Sequence, residues 1–322
     1  MDATELLQPI QEDMQGVDRI IRGRLKSDVV LINQLAQHII AGGGKRLRPA
    51  VTLLCAKACG IENDQHQLLA AIIDLLHTAT LLHDDVVDGS DLRRGRDTAN
   101  ALWGNEASVL TGDFLYSRSF QLMIELDSMH CMSELANTSN VIAEGEVMQL
   151  MNCNNPDLSE KEYYEVIRRK TAALFAVGTG LGAYVAGTDD AQQRACEQYG
   201  LHLGLAFQII DDALDYSASA DELGKNIGDD LAEGKATLPL IHVMQTGSSA
   251  QKTLVSNAIR EGDIGKLDQI QAAIESTDAI AYTSARADDE ANAAIAALEL
   301  LPDSPYKQSL SGLAKFSVAR RA

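Results

Sequence analysis

Proline is scarce in this 322-residue chain, and its distribution limits the secondary structure more than any other feature. The chain has six prolines, and none lies between Pro49 and Pro156 or between Pro156 and Pro239. Because proline destabilises a helix interior by about 3 kcal/mol, long proline-free stretches rich in alanine and leucine favour helices. Alternating strand patterns and low-complexity linkers are absent from the sequence. We therefore predict one all-α domain that covers residues 1–322.

Apolar periodicity and glycine breaks divide the chain into long helical segments. The segments predicted to be helical are 26–41, Pro49 to Gly60, 66–88, 107–128, 131–152, 160–186 and 190–216. The longest uncharged run, residues 171–188, contains four glycines, and a membrane span needs about 20 mainly apolar residues. We interpret it as a buried helix whose glycines permit close packing, and we expect no transmembrane segment.

Net charge and cysteine usage exclude several classes of protein. The chain carries a formal charge of −19, whereas a nucleic-acid binder needs a basic face for phosphate and an anionic membrane surface attracts basic segments. The five cysteines are an odd number without paired spacing, which favours a reducing compartment. The N-terminus is acidic where a signal peptide would be basic. We expect a cytoplasmic protein, with Cys55 and Cys59 more typical of small core residues than of metal ligands.

Two aspartate pentads are the most informative motif. Asp84-Asp85-Val86-Val87-Asp88 and Asp211-Asp212-Ala213-Leu214-Asp215 each end a strongly apolar stretch. In each, the first and fifth positions share a helix face, where like charges destabilise an isolated helix. Mg²⁺ would remove this conflict, because it binds one or two carboxylates and completes its shell with phosphate and water. A solvated acidic face would explain one pentad alone, but it explains two much less well.

Basic residues cluster near these carboxylates along the chain. The clusters are Lys45-Arg46-Leu47-Arg48 after the glycines at 42–44, Arg93-Arg94-Gly95-Arg96, Arg168-Arg169-Lys170, and Lys225 with Lys235. A helix start such as the one predicted at Pro49 also offers free backbone N–H groups to anions. Each cluster alone could be a solvated loop. Together, in so acidic a chain, they indicate a substrate that carries phosphate groups, and His77, two turns before Asp84, is a candidate phosphate contact.

These motifs together resemble one enzyme family, the trans-isoprenyl diphosphate synthases. The resemblance spans residues 20–320 and rests on both pentads and on Gly-Gly-Lys-Arg-Leu-Arg-Pro at 43–49, Leu-Arg-Arg-Gly at 92–95, Phe-Gln-Ile-Ile-Asp-Asp at 207–212 and Gly-Lys-Asn-Ile-Gly-Asp-Asp-Leu at 224–231. It implies a bundle of long antiparallel helices around a deep central cavity, and a homodimer. One departure is Arg96-Asp97, because the family commonly has proline two residues after the Arg-Arg-Gly; this difference concerns the loop and not the chemistry.

The resemblance implies a role for each matching residue. Asp84, Asp85, Asp88, Asp211, Asp212 and Asp215 would hold Mg²⁺, three ions per site with substrate bound, on the diphosphate of an allylic substrate. Arg93, Lys170, Thr171, Gln208, Lys225 and Lys235 would complete that diphosphate site. Lys45, Arg48, His77 and Arg94 would bind the diphosphate of isopentenyl diphosphate.

The implied reaction needs no side-chain nucleophile. Pyrophosphate leaves the allylic substrate, here expected to be farnesyl diphosphate, and the charge that develops is stabilised electrostatically. The double bond of isopentenyl diphosphate attacks the resulting carbocation, and loss of a proton gives a trans product five carbons longer. The resemblance further implies that the product supplies a quinone side chain, and transient membrane contact could serve its release.

Product length can be argued from side-chain size. Ala79 and Thr80 precede Asp84 by five and four residues, so they lie roughly 7 Å along the helix from the first pentad. Family members with short products commonly place an aromatic ring there, whereas both side chains here are small. We predict a product longer than C20 and, by resemblance, about C40, with Leu76 and Met123 nearer the cavity floor.

Three other classes of protein remain as alternatives. A His-Asp phosphohydrolase could use His77, His83-Asp84 and Asp211, but it explains neither the second pentad nor Lys45 and Arg48. A terpene cyclase shares the ionisation step but does not need a second diphosphate site. A regulatory subunit of a heteromeric prenyltransferase tends to lose aspartates that are intact here. Arg320-Arg321 could close over the active site, although a frayed terminus is the simpler interpretation.

Overall fold

Helices make up 81% of the structure, a computed structural model that describes residues 3–42, 46–93, 95–217 and 228–319. The α-helices of these residues are α1 (Ala3–Leu7), α2 (Gln11–Arg24), α3 (Val30–Ala41), α4 (Leu47–Ala58), α5 (Gln65–Val87), α6 (Ala99–Trp103), α7 (Asn105–Glu125), α8 (Met129–Asn152), α9 (Glu160–Ile167), α10 (Ala173–Val185), α11 (Asp190–Ser217), α12 (Asp229–Ala232), α13 (Leu238–Thr246), α14 (Ser249–Glu261), α15 (Leu267–Ser276), α16 (Ala279–Ala297) and α17 (Pro305–Val318). Two 3-10 helices lie at Gln8–Ile10 and Leu298–Leu300, and one π-helical segment lies at Arg168–Ala172. The all-α prediction is confirmed.

The predicted helices agree with the observed ones to within a few residues, except for the one over 160–186, whereas α1, α2 and α6 were not predicted. The helix expected over 160–186 is interrupted by the π-helical segment, which joins α9 to α10. A short antiparallel ribbon, β1 (Leu92–Arg93) and β2 (Arg96–Asp97), was not predicted from the sequence. Gly95 in this ribbon has φ +70°, a conformation that glycine adopts without the strain a side chain would bring.

The chain separates into two compact units, which are described here one at a time. Unit 1 consists of Met1–Thr138, Leu174–Gly200 and Ala297–Leu313. Unit 2 consists of Ser139–Ala173, Leu201–Ala296 and Ala314–Ala322. The assignment of residues 1–322 to a single domain stays a prediction.

Unit 1 is held together by buried faces of α4, α5 and α10. Fully buried side chains on these helices include Leu53, Leu69, Ile72 and Phe175. Gly178 and Gly182 on α10 approach α4 so closely that a Cβ on either would lie 2.7 Å from an atom of Thr52. The glycines of this apolar helix therefore permit close packing, as the sequence predicted.

Unit 2 has its own hydrophobic core. The core joins α9, α11, α13, α14, α15 and α16, with buried members that include Tyr163, Ile209, Leu240, Ile259 and Ile274. α9 begins with a capping box in which Ser159 and Glu162 each satisfy the other's backbone N–H. This cap fixes where α9 begins, eight residues before the π-helical segment.

The sequence also made predictions about the cysteines and the most apolar helices. All five cysteines are free thiols, and Cys55 is fully buried in the core of unit 1. The Sγ atoms of Cys59 and Cys196 lie 3.9 Å apart. Among the residues that the structure describes, no helix combines the length and the apolar character that a membrane span requires.

Candidate active site

The first aspartate pentad lies at the C-terminal end of α5 in unit 1. Asp84 and Asp85 belong to the last turn, and the backbone N–H of Asp88, the C-cap residue, donates to the carbonyl of Asp84 at 2.8 Å. The C-terminal end of a helix carries partial negative charge, which disfavours nearby carboxylates. Three carboxylates at this position therefore create a strongly negative site that favours a cation.

Asp85 is the buried member of the first pentad, with 3% of its surface exposed. Arg93, on strand β1, donates to its Oδ1 through both Nε at 2.7 Å and Nη2 at 2.6 Å. The segment that carries Arg93 is braced by Asn100, whose side-chain amide donates to the carbonyls of Asp85 and Ser90. The unpredicted ribbon thus has a function in the site, because it directs the Arg93 guanidinium to the pentad.

The second pentad occupies the equivalent position in unit 2, at the C-terminal end of α11. Asp211 is half-buried, whereas Asp212 and Asp215 are 2% and 0% exposed. The backbone N–H of Gly228 donates to the carbonyl of Asp215 at 3.1 Å, which fixes the start of α12 next to the pentad. This pentad is therefore more deeply buried than the first.

Neutral donors hold Asp212. The phenol of Tyr163 on α9 donates to its Oδ2 at 2.6 Å, and the amide of Gln208 donates to its Oδ1 at 2.8 Å. Thr171 in turn donates to the amide oxygen of Gln208 at 2.9 Å. Burial raises the pKa of Asp212 well above its usual value, and repulsion from Asp230 raises it further. A bound cation would offset both effects.

The π-helical segment presents Lys170 and Thr171. Nζ of Lys170 forms an ion pair with Oε2 of Glu146 on α8 at 2.5 Å. α8 approaches this segment at Gly145, where a Cβ would lie 2.8 Å from the backbone nitrogen of Lys170. π-Helical turns occur frequently at functional sites. Here the turn places Lys170 and Thr171 in unit 2 along with Gln208.

Lys235 follows a turn of unit 2 that Asn154 holds in place. Asn154 adopts φ +61°, its backbone N–H donates to the carbonyl of Gly234 at 2.8 Å, and its amide donates to the carbonyls of Ile259 and Arg260, both at 3.1 Å. Nζ of Lys235 forms an ion pair with Glu233. Asn154 therefore ties the turn before Lys235 to the end of α14.

In unit 1, the start of α4 brings together two residues that the sequence assigned to one substrate. The Arg48 guanidinium donates to Nε2 of His77 on α5 at 2.9 Å. The same guanidinium lies over the ring of Phe175, with 4.4 Å from its central carbon to the ring centroid. This contact has the geometry of a cation–π interaction. Arg48 and His77 are thus adjacent in the structure.

Five residues that the sequence singled out lie outside the described part of the chain. They are Lys45, Arg94, Lys225, Arg320 and Arg321. Elsewhere the structure places Arg93 on Asp85, Thr171 beside Gln208, and Arg48 beside His77. The predicted roles of these residues stay predictions.

Several residues that support the site were not predicted. They are Tyr163, Glu146, Gly145, Asn154 and Asn100. Each contacts a residue at least ten positions away along the chain, and Tyr163 lies 49 positions from Asp212. The capping box at Ser159 was visible in the sequence and fixes the start of the helix that carries Tyr163, but no local signal links that tyrosine to the pentad.

The residues predicted to control product length lie along α5 and α7 of unit 1. Ala79 is fully buried, Leu76 is 2% exposed, and Met123 on α7 is 1% exposed. The hydroxyl of Thr80 donates to the carbonyl of His77 at 2.8 Å, so its polar atom is satisfied by its own helix. Both small side chains thus occupy the turn of α5 that precedes the first pentad.

The pentads have the chemistry of a site for a divalent cation that takes its remaining ligands from another bound molecule. Among the described residues, no group of three or more His, Cys, Asp or Glu side chains is arranged to hold a metal ion alone. Carboxylate oxygens are the ligands that Mg²⁺ and Ca²⁺ prefer, and Mg²⁺ commonly takes its other ligands from phosphate and water. The residues present therefore fit a cation that binds together with a diphosphate.

Comparison with known proteins agrees with this chemistry. Residues 29–277 match the family model for polyprenyl synthetase. The chain is 49% identical over 311 residues to octaprenyl diphosphate synthase of Escherichia coli, covering 96% of each chain. It is 45% identical over 317 residues to a geranyl-diphosphate-specific all-trans-nonaprenyl-diphosphate synthase of Rhodobacter capsulatus, covering 98% of this chain and 97% of that one.

A solved structure shows the same similarity in three dimensions. A polyprenyl synthase from Caulobacter crescentus, solved with calcium and isoprenyl diphosphate, superposes with a TM-score of 0.96 and is 47% identical. The match covers 100% of this chain and 98% of that one.

The chain belongs to the polyprenyl synthetase family. It is a trans-prenyl diphosphate synthase, a transferase that acts on isoprenoid diphosphates.

Proposed function

We propose that this enzyme extends farnesyl diphosphate with successive isopentenyl diphosphate units to an all-trans polyprenyl diphosphate of about C40, for the side chain of a quinone. The observation that carries the proposal is the pair of aspartate pentads, each near the C-terminal end of a long helix and preceded by an apolar stretch. The similarity to an octaprenyl diphosphate synthase supports C40, and the similarity to a nonaprenyl synthase makes C45 the neighbouring alternative.

The proposed chemistry starts with departure of pyrophosphate from the allylic substrate. Asp84, Asp88 and Asp211 would bind Mg²⁺, with Asp85, Asp212 and Asp215 completing the carboxylate sets. Mg²⁺, three ions with substrate bound, would stabilise the negative charge of the departing pyrophosphate. Arg93 keeps Asp85 oriented, and Tyr163 and Gln208 do the same for Asp212.

Cationic and polar side chains would bind the diphosphates directly. We assign Lys170, Thr171, Gln208, Lys225, Lys235 and Arg93 to the allylic diphosphate. We assign Lys45, Arg48, His77 and Arg94 to isopentenyl diphosphate. The adjacency of Arg48 and His77 supports the second assignment, and the contact between Thr171 and Gln208 supports the first. Such pre-oriented donors stabilise charge without reorganising during the reaction.

Product length depends in this proposal on the turn of α5 before the first pentad. The small side chains of Ala79 and Thr80 would allow a growing tail to pass, and Leu76 and Met123 would lie nearer the end of its path. The variant Ala79→Tyr should shorten the main product to C20 or less, because a ring replaces a methyl group about 7 Å from the pentad. Chromatographic sizing of the products tests this. An undiminished product length would refute this path.

We further propose a cytoplasmic homodimer that contacts the membrane only transiently, for product release. Leu110 and Ile124 on α7 are each 66% exposed, and Val109 lies beside Leu110. Exposed apolar side chains on one helix face commonly mark a subunit interface. Analytical ultracentrifugation of wild type and Leu110→Glu tests the dimer. Sedimentation of the wild type as a monomer would contradict it.

One assay tests the function itself. Purified protein is incubated with farnesyl diphosphate, labelled isopentenyl diphosphate and Mg²⁺, and the products are sized. The expected result is a ladder that ends near C40, with one pyrophosphate released per isopentenyl unit added. Pyrophosphate release without isopentenyl diphosphate would indicate a cyclase or a phosphohydrolase, and a lack of elongation would refute the proposal.

A further inference from the structure

The residue before α4 has an unusual backbone conformation. Arg46 is the N-cap of α4 and has φ +43° and ψ +47°, in the left-handed region. Its carbonyl accepts the N–H of Ala50 at 3.2 Å, so it belongs to the hydrogen bonding of the first turn. Residues other than glycine rarely adopt this conformation, and they keep it where surrounding contacts enforce it.

The side chain of Arg46 supplies those contacts. Its Nε and Nη2 lie 2.9 and 2.8 Å from Oδ2 of Asp74 on α5, and its Nη1 pairs with Asp18 on α2. The Asp74 side chain is only 14% exposed. Burial raises the pKa of the Asp74 carboxyl, and the Arg46 guanidinium opposes that rise. Arg46 thus connects the start of α4 to two other helices of unit 1.

The N-cap of α4 and one residue of its first turn both contact α5. Arg46 contacts Asp74, and Arg48 contacts His77, three residues further along α5 and on the same face. The two contacts fix the first turn of α4 against α5. The guanidinium of Arg46 is occupied by two carboxylates, whereas Arg48 extends from the turn that Arg46 holds.

We propose that Arg46 is a positioning residue for isopentenyl diphosphate. It holds the first turn of α4 so that Arg48 and His77 face the diphosphate of that substrate, and it does not touch the substrate itself. This role rests on the proposed function, and it predicts an effect on one of the two substrates only.

The test compares the Michaelis constants of the two substrates in Arg46→Lys. Lysine keeps the charge but lacks the planar fork that contacts two carboxylates at once. The KM for isopentenyl diphosphate should rise about tenfold, because small displacements of a binding group have large effects. The KM for farnesyl diphosphate and the kcat should stay within about twofold of wild type. Arg22→Lys, an exposed arginine on α2, is the matched control and should change neither constant.

Two further variants keep the test informative if Arg46→Lys folds poorly. Asp18→Asn removes the more exposed of the two carboxylates, so we expect a rise of about two- to threefold in the same KM. Asp74→Asn removes the second, more buried carboxylate and should raise the same KM about tenfold, as Arg46→Lys does, because the two residues act as one unit.

Each outcome of these measurements decides the proposal. Equal changes in both Michaelis constants would show general destabilisation and overturn the assigned role, as would an unchanged KM for isopentenyl diphosphate. The wild type is assayed first. If it does not elongate farnesyl diphosphate, the proposed function fails and this role with it; if it elongates normally, only the Arg46 variants decide.

Discussion

The two aspartate pentads share a spacing and a position at the end of a helix, yet the protein holds them differently. In the first, the buried Asp85 is paired with the Arg93 guanidinium, which carries a full positive charge. In the second, the buried Asp212 accepts hydrogen bonds from Tyr163 and Gln208, which are neutral donors. The same local sequence pattern therefore sits in two different electrostatic environments.

The difference indicates how much each pentad depends on a cation from solution. Around Asp85 the ion pair with Arg93 offsets part of the negative charge. Around Asp212, burial and the neighbouring Asp230 and Asp211 all disfavour ionisation. In such surroundings the ionised form of a carboxyl group becomes favourable when a cation binds next to it. We therefore expect Mg²⁺ to stabilise unit 2 more than unit 1.

The largest expected effect is the loss of activity when either pentad loses its first carboxylate. Asp84→Asn and Asp211→Asn should each lower kcat about 10³-fold, because several kcal/mol of charge stabilisation disappear. Asp64→Asn and Asp190→Asn, at the opposite ends of the same two helices, are matched controls and should stay within about twofold. Steady-state kinetics at saturating Mg²⁺ measure this. Full activity of either pentad variant would remove that pentad from the mechanism.

In metal-free protein, we expect smaller changes in the free energy of unfolding, with opposite signs at the two pentads. Asp85→Asn should lower the free energy of unfolding by about 1 kcal/mol, because it breaks a partly exposed ion pair. Asp212→Asn should raise it by about 1 kcal/mol, because a buried charge beside Asp230 is removed. Urea denaturation in EDTA measures both. Changes of the same sign would contradict the electrostatic difference between the pentads.

The smallest expected effect concerns the helix that carries Tyr163. A hydrogen bond from Arg168 lowers the pKa of Glu165 to about 2, from an ordinary value of 4.5. A lowered folded-state pKa means that this carboxylate stabilises the protein above about pH 4.5 and that the contribution is lost as the pH falls towards 2.

This contribution can be isolated with one variant. Glu165→Gln should lower the free energy of unfolding by about 0.5 kcal/mol at pH 6, because solvent reaches both members of the pair and screens it. The difference from wild type should vanish near pH 2. Denaturation curves at several pH values measure it. A constant difference across this range would contradict the assigned cause.

Local sequence patterns predicted the helices and the pentads because both depend on near neighbours along the chain. Apolar periodicity, glycine breaks and the absence of proline predicted α5 and α11 to within a residue or two. The position of Asp84 and Asp211 at helix ends follows from the same patterns. The all-α fold could thus be predicted from the sequence alone, whereas the family resemblance came from the motifs themselves.

Contacts over long sequence distances could not be derived in this way. The pairing of Tyr163 with Asp212, of Glu146 with Lys170 and of Arg46 with Asp74 depends on how helices pack. The π-helical segment lies where α8 approaches closely at Gly145, which is another contact between residues distant in sequence. Amino-acid preferences carry no signal for such an interruption, because the residues at 168–172 suit an α-helix equally well.

Ligand-induced thermal stabilisation tests most directly whether both pentads bind Mg²⁺ together with the allylic diphosphate. Melting temperatures are measured for wild type, Asp84→Asn and Asp211→Asn with Mg²⁺, with a non-reactive thio analogue of farnesyl diphosphate, and with both. We predict that the wild type gains about 5 °C only when both ligands are present, and that each variant loses most of this gain. A full gain in either variant, or an equal gain from the analogue without Mg²⁺, would contradict the account.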